Sequence, residues 1–252
     1  MPREALHRTG ALVRHNTMLM LREPGPLASR MVLPLAFLIL LHPLYEQAQR
    51  GQRGIAQAVI ATMVTFSLLA MSIAGSTFLT ERIWHTWERV RATAAHPAEL
   101  LIGKAVPVIA ALLLQQAAVL GFGVAVLRLA VAGLPLLALV MMAWALTLVG
   151  MGAALGLLAR SLSGLSACYD IGGMILSSLG GALVPLTAMP AWIRHVAPAS
   201  PGYWAVSALE GALRGEAGRT LTASAMLLAF AAGACLIAVV RASRGWGRSA
   251  QL

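Results

Sequence analysis

Charge is scarce in this sequence. Only 11% of its 252 residues are Asp, Glu, Lys or Arg, whereas 59% are hydrophobic and the mean hydropathy is +0.78. Soluble domains average about 25% charged residues, because a compact core needs a polar surface around it. This shortage excludes an ordinary water-soluble domain. We therefore expect an all-α integral membrane protein that forms one membrane domain over residues 1–252.

The sequence also lacks the motifs of ATP hydrolysis and of common hydrolases. It contains no GxxxxGK[ST] phosphate loop, no HExxH and no GxSxG, so these chemistries are not expected of this chain. Its six histidines are scattered, and Asp170 is the only acidic residue inside a predicted span. We predict that the chain is not an enzyme, that it binds no metal or cofactor, and that it has no acidic proton relay.

Paired cysteines, a signal peptide and a basic soluble face are missing as well. Cys168 and Cys235 lie in apolar runs without a CxxC, so we interpret them as small core residues. Residues Met1–Arg22 are charged throughout and lack the continuous apolar run of a signal peptide. The net charge is +10, but the basic residues flank apolar runs, so nucleic acid is not an expected partner.

Six apolar runs predict membrane spans, each of which needs roughly 20 residues. The predicted spans are residues 27–45, 55–79, 100–127, 134–159, 163–184 and 220–240. The first is the weakest, because Pro34 and Pro43 interrupt it and Arg30 must snorkel towards the headgroups. With the N-terminus inside, 13 of the 19 basic residues lie on the inner side. The positive-inside rule therefore places both termini in the cytoplasm.

Three segments outside the spans have patterns of their own. Residues 1–25 have apolar positions at helical spacing and predict an amphipathic interfacial helix, with a solvated tail as the alternative. Residues 80–99 are rich in charge and tryptophan and predict a short cytoplasmic helix. Residues 185–218 contain four prolines and three aromatic residues, which predict half-helices in the outer leaflet before the last span.

The last two segments resemble a known family when they are read together with the six spans. Residues 78–104, FLTERIWHTWERVRATAAHPAELLIGK, place an ER pair, a second charged turn, a proline and a GK before the third span. Residues 189–204, MPAWIRHVAPASPGYW, precede the last span. Over nearly the whole chain this order resembles the type-2 ABC exporter permeases, the transmembrane subunits of ABC transporters. His85 stands where that family usually has glycine.

The resemblance implies one half of an ATP-driven exporter in a bacterial plasma (inner) membrane. Two permease subunits, identical or different, would combine with two copies of a separate ABC ATPase, which binds ATP and Mg²⁺. Residues 80–99 would couple the permease to that ATPase, although the tryptophans could instead anchor at the lipid headgroups. The implied coupling residues are Glu81, Arg82, Trp84, His85, Trp87, Glu88 and Arg89. The implied outer-gate residues are Pro190, Trp192, Pro201, Tyr203 and Trp204.

On the same resemblance, the second and fifth spans would line the substrate path. The implied path residues are Ser67, Met71, Ser72, Met174, Ser177 and Ser178. Flexible thioethers beside hydroxyls favour an amphiphilic cargo, drug-like or lipidic, over a highly charged one. The identity of the cargo stays open.

Asp170 has two interpretations. An ionisable residue inside a span indicates a functional group, whereas a position at the inner interface, hydrated or paired with Arg160, indicates none. Three other functions stay open beside ATP-driven export: an ion-coupled secondary carrier, a membrane-embedded lipid enzyme and a scaffold. A carrier typically shows buried charge relays or inverted repeats, and the sequence shows neither apart from Asp170.

Overall fold

The computed structural model describes residues 2–22, 24–49, 51–83 and 97–243, and all regular structure in this part of the chain is helical. The all-α prediction is confirmed for these residues. Their α-helices are α1 (Pro2–Arg22), α2 (Pro24–Gln49), α3 (Gln52–Ala70), α4 (Ser72–Ile83), α5 (Pro97–Ala125), α6 (Leu134–Leu158), α7 (Leu162–Leu179), α8 (Ala191–Val196), α9 (Pro201–Arg214) and α10 (Ala217–Ser243). Short 3₁₀ turns at Leu186–Ala188 and Ala197–Ala199 flank α8.

Five helical stretches in the described residues are long and apolar enough to cross a membrane. They are Ala28–Gln49, Gln52–Thr77, Ile102–Ala125, Leu134–Leu158 and Ala217–Arg241. The first predicted span, the weakest by sequence, is among them. α7 is not: it has 18 residues, ends at Leu179 and carries Asp170, and its length of about 27 Å only approaches the hydrocarbon thickness. The count of six spans stays a prediction.

Turn residues set the helix ends. Gly51 adopts a positive φ of 62° before α3, which reverses the chain after α2. Only Ala159 to Ser161 separate α6 from α7, and the Ser161 side chain accepts a hydrogen bond from the Gly164 amide to cap α7. Gly215, at φ 76°, ends α9 in the left-handed conformation that glycine favours. Such short links make consecutive long helices antiparallel.

α3 is the central helix and α2 is peripheral. Of the 18 most apolar consecutive residues in the stretch 52–77, 78% are buried, whereas the corresponding fraction in the stretch 28–49 is 11%. α3 packs against α2, α5, α7 and α9, while α6 packs against α4 and α10 and α1 lies on α5. The exposed apolar faces of the long helices need a bilayer or another subunit to cover them. Cys168 and Cys235 lie on such faces, so their prediction as core residues is wrong.

The two ends of the bundle differ. We call the end formed by residues 49, 51–53, 127–133 and 180–219 the distal end. The opposite end, at residues 77–83, 97–104 and 158–162, is the proximal end. The described parts of the predicted coupling segment, residues 80–83 and 97–99, therefore belong to the proximal end, and the predicted outer segment lies at the distal end.

Glycines allow α4, α6 and α7 to meet at one close crossing. A Cβ atom on Gly156 would contact the carbonyl oxygen of Gly75 and lie 2.9 Å from the Gly75 Cα. The buried Tyr169 of α7 donates its hydroxyl proton to the Gly152 carbonyl oxygen at 3.1 Å. Any side chain on Gly75 would occupy the place of that hydroxyl. The crossing thus requires glycine, which has no side chain, at positions 75 and 156, and small residues serve the same purpose in other close helix pairs within membranes.

Candidate transport site

The second predicted span is divided at one residue, where α3 ends and α4 begins. Met71 occupies the break, and the Ser76 and Thr77 hydroxyls both donate to the Ile73 carbonyl oxygen in the following turn. Such side-chain bonding back to the helix backbone bends helices. Arg30 of α2 donates from Nη2 to the Ser72 hydroxyl at 3.1 Å, directly beside the break. A charged group therefore lies beside the break between the two helices, where the sequence predicted only snorkelling.

Of the predicted path residues, three face the interior of the protomer. Ser67 and Met71 are buried, and the Ser67 hydroxyl has no hydrogen-bond partner among the described residues. Ser177 of α7 is also buried and shares a hydrogen bond of 2.5 Å with the Thr65 hydroxyl of α3. This bond joins the two helices that were expected to line the path.

The other path residues lie nearer the surface. Ser72 and Ser178 are half-buried, and Met174 is half-exposed. Met174 lies on the outer face of α7 together with Asp170, Ile171 and Ile175. The structure therefore divides the predicted path between the α3–α7 contact and an uncovered face of α7.

Asp170 can be tested directly because its side chain is exposed on that face. We expect Asp170→Asn to leave the unfolding temperature within about 2 °C, since an exposed substitution typically changes stability by less than about 0.5 kcal/mol. Transport should fall, because a charge inside a span serves a function by default. The comparison is with Cys168→Ala, at another exposed position of α7, in proteoliposomes with equal amounts of folded protein. Unchanged transport in Asp170→Asn would contradict a functional role and favour the interpretation that Asp170 lies at the membrane interface.

At the distal end, Gln57 joins α3 to the chain that follows α7. The side chain is buried, and its Nε2 donates to the carbonyl oxygens of Gly181 at 3.1 Å and Ala182 at 2.6 Å. Nearby, the Tyr45 hydroxyl of α2 donates to the Leu183 carbonyl oxygen at 2.8 Å. These bonds satisfy carbonyl groups left free where α7 ends. Sequence reasoning missed both residues, although a glutamine in an otherwise apolar run was a visible signal.

Gln57→Met keeps the volume of the side chain but removes both bonds. We expect a loss of about 2 kcal/mol, because two carbonyl groups lose a donor in a buried setting. This corresponds to a fall of about 4–8 °C in the unfolding temperature, measured by size-exclusion chromatography after heating. Gln49→Met is the control, since Gln49 makes no hydrogen bond with the described residues. An equal effect of both substitutions would contradict this role for Gln57.

The predicted outer-gate residues lie in two different settings. Pro190 and Trp192 begin α8 and are exposed. Pro201 is buried at the start of α9, and Tyr203 packs edge-on against Trp204 with ring centres 5.0 Å apart. Trp204 donates its indole N–H to the Pro198 carbonyl oxygen at 2.8 Å. The second group is built into the distal end, whereas α8 lies on its surface.

At the proximal end, α1, α4 and α5 meet around the Gly103–Lys104 pair. Asn16 of α1 donates to the Gly103 carbonyl oxygen at 3.1 Å, and a Cβ on Gly103 would lie 2.7 Å from the Leu12 Cβ. The buried Lys104 donates from Nζ to the Thr77 carbonyl oxygen of α4 at 3.3 Å. The pair therefore seats the N-terminal helix and ties α4 to α5.

Two of the seven predicted coupling residues belong to the helix that Lys104 contacts at this junction. Glu81 and Arg82 belong to the last turn of α4. The remaining five, Trp84, His85, Trp87, Glu88 and Arg89, lie outside the described residues. The described helices thus supply the two anchors of the segment.

The order of these features matches one protein family. The family model described as "ABC-2 type transporter" matches residues 7–213, from α1 to the end of α9. The chain belongs to the ABC-2 type transporter family. A comparison with curated protein sequences finds no match.

Membership makes this ABC-2 chain a permease subunit of an ABC transporter, as its resemblance indicated. ABC-2 permeases generally work with an ABC ATPase partner. The matched range includes the proximal junction and the chain that follows α7 as far as Leu213. These parts of the site therefore lie within the residues that the family model matches, whereas α10 lies beyond them.

Proposed function

We propose that this permease is the membrane half of an ATP-driven exporter with six spans, α7 being the fifth. Both termini lie in the cytoplasm, and the distal end faces outward. Two permease subunits assemble with two ATPase subunits, which bind ATP and Mg²⁺ and carry out hydrolysis. The placement of 13 of the 19 basic residues on the inner side of this arrangement supports its orientation.

The proximal junction is the observation that carries the coupling role. Residues 84–96 connect α4 to α5, and Lys104 ties those helices together through the Thr77 carbonyl. A force applied to this connection would reach both helices at once, because their bases are held in a fixed relation. α4 would then transmit it to the break at Met71 and to the glycine crossing with α6 and α7. Movement there would alter the predicted path.

An amphiphilic cargo fits the surfaces available to it. The outer face of α7 presents Ile171, Met174 and Ile175 around the single carboxylate of Asp170. Apolar contact area with few polar groups is typical of sites for amphiphilic ligands. The flexible methionine side chain adapts to ligands of different shape. We infer that the cargo is drug-like or lipidic and passes this face during export.

Co-expression with an ABC ATPase subunit from the same organism tests the coupling role. The permease should co-purify with the ATPase and show ATP-dependent transport in proteoliposomes. Trp84→Ala combined with Trp87→Ala should abolish association, because the permease would lose the two aromatic side chains that dock on the ATPase. Trp192→Ala is the matched control, since Trp192 is 65% exposed at the opposite end.

Two outcomes would contradict the proposal. Normal ATP-dependent transport by the double variant would show that the two tryptophans are not needed for docking on the ATPase. Transport driven by an ion gradient without any ATPase would instead indicate a secondary carrier.

A further inference from the structure

The distal end contains a cavity that neither the fold nor the coupling role requires. Its volume is about 510 Å³, and it lies between the end of α2, the start of α3, the chain after α7 and α9. Its lining includes three guanidinium groups, those of Arg53, Arg214 and Arg219. Glu210 is the carboxylate in the lining. A membrane protein with so few charged residues thus concentrates four of them around one opening.

The arginines of this distal cavity differ in how their charge is used. Arg219 pairs with Glu210 at 2.7 Å and with Glu216 at 3.7 Å, and Arg214 approaches Glu216 at 3.9 Å. Arg53 forms no ion pair or hydrogen bond with the described residues. Three cations therefore face two carboxylates. The uncompensated positive charge is that of Arg53.

An apolar groove adjoins the distal cavity at the same arginine. This second space, of about 570 Å³, shares four lining residues with the first: Gln49, Arg53, Pro185 and Thr187. Beyond them it is lined by Leu44 of α2 and by Leu183 and Val184 of the chain after α7. Leu44 is 62% exposed and Val184 45% exposed, so the groove is open on its apolar side. Arg53 therefore stands at the boundary between a basic cavity and an apolar groove.

We propose that these two spaces together bind an anionic amphiphile that carries a phosphate headgroup. The phosphate contacts Arg53, because guanidinium groups bind phosphate oxygens through paired, charge-assisted hydrogen bonds. Hydroxyl groups of Thr187 and Tyr203 in the lining can donate to its other oxygens. The alkyl chain lies along Leu44 and Val184, where it removes apolar surface from water. That this ligand is the exported cargo on its way out rests on the proposed function.

Equilibrium binding of radiolabelled dodecyl phosphate to the purified permease in phosphatidylcholine nanodiscs tests this site, with empty nanodiscs as background. Saturable binding is expected, and unlabelled dodecyl phosphate should compete. Inorganic phosphate, which lacks the chain, and dodecyl glucoside, which lacks the charge, should each compete at least about tenfold more weakly. Arg53→Gln should weaken binding about tenfold or more, and Val184→Ser should weaken it less. Arg194→Gln, an exposed arginine of α8 outside both linings, should leave it unchanged.

Three results would overturn the assignment. Equal affinity of Arg53→Gln and the parent protein would remove the headgroup site. Equal competition by inorganic phosphate would show that the groove does not contribute to binding. Equal competition by dodecyl glucoside would show that the charge of the headgroup does not contribute. The ATPase is not needed for this measurement. Expected binding without any ATP-dependent transport would therefore contradict the proposed function alone, whereas transport without this binding would contradict the site alone.

Discussion

Gly156→Leu is expected to yield no folded permease, and Gly156→Ala to lower the unfolding temperature by about 4–12 °C. A Cβ at this position meets the backbone of Gly75, including its Cα at 2.9 Å. Backbone atoms cannot rotate away, so α4 and α6 must separate. Overpacking typically costs about 1–3 kcal/mol, and a clash with backbone atoms lies at or above the upper end of that range. The gain in helix propensity from glycine to alanine, about 1 kcal/mol, is too small to offset it.

The measurement is the fraction of monodisperse protein after heating in detergent. Gly121→Ala and Gly121→Leu are the matched controls, since a Cβ on this exposed helical glycine meets nothing within 4 Å. Tyr169→Phe separates packing from hydrogen bonding at the same crossing. It keeps the ring but removes the donor to the Gly152 carbonyl oxygen, so a loss of only about 1 kcal/mol is expected. A fully stable Gly156→Leu protein would show that these helices do not cross as described.

Gly202→Ala is the second substitution for which we expect a large loss, about 2–3 kcal/mol. Gly202 lies at the start of α9, and a Cβ there would come within 2.6 Å of the Leu176 carbonyl oxygen in α7. The same carbonyl accepts a hydrogen bond from the Ser200 hydroxyl at 2.8 Å, and that hydroxyl accepts one from the Gly202 amide. Moving α9 away would break this network as well as the packing.

The unfolding temperature of Gly202→Ala should fall by about 4–12 °C. Gly218→Ala serves as the control at the same end of the bundle, because a Cβ on Gly218 meets nothing within 4 Å. Ser200→Ala isolates the hydrogen bonds and should cost about 1 kcal/mol. If Gly202→Ala were as stable as Gly218→Ala, the close approach of α7 and α9 would be refuted.

Much of the fold followed from local patterns. The apolar runs predicted the long helices, and even the first, with two internal prolines, forms a continuous helix from Pro24 to Gln49. The GK pair was noted as part of a resemblance. Its physical role appeared only when α1 was found against Gly103 and Lys104 was found bonded to α4. Contacts between residues this far apart in the chain leave no periodic signal in the sequence.

Other features could not be predicted because they depend on which helix faces are covered. Cys168 and Cys235 looked like core residues in apolar runs, yet both are exposed. In a membrane protein, lipid-facing and core-facing positions have similar hydropathy, so an apolar run does not distinguish them. The same reasoning applies to the predicted path, where Ser177 turned inward and Met174 outward on one helix.

The sequence by itself determined that this protein belongs in a membrane, because a chain with 11% charged residues cannot supply the polar surface that water demands. It also determined where the helices run and which two segments depart from the pattern, since both depend on composition and spacing alone. Only the tertiary structure decided that Arg53 borders both a basic cavity and an apolar groove. The reason is physical: a cavity is made by the distances between helices, and packing alone sets those distances.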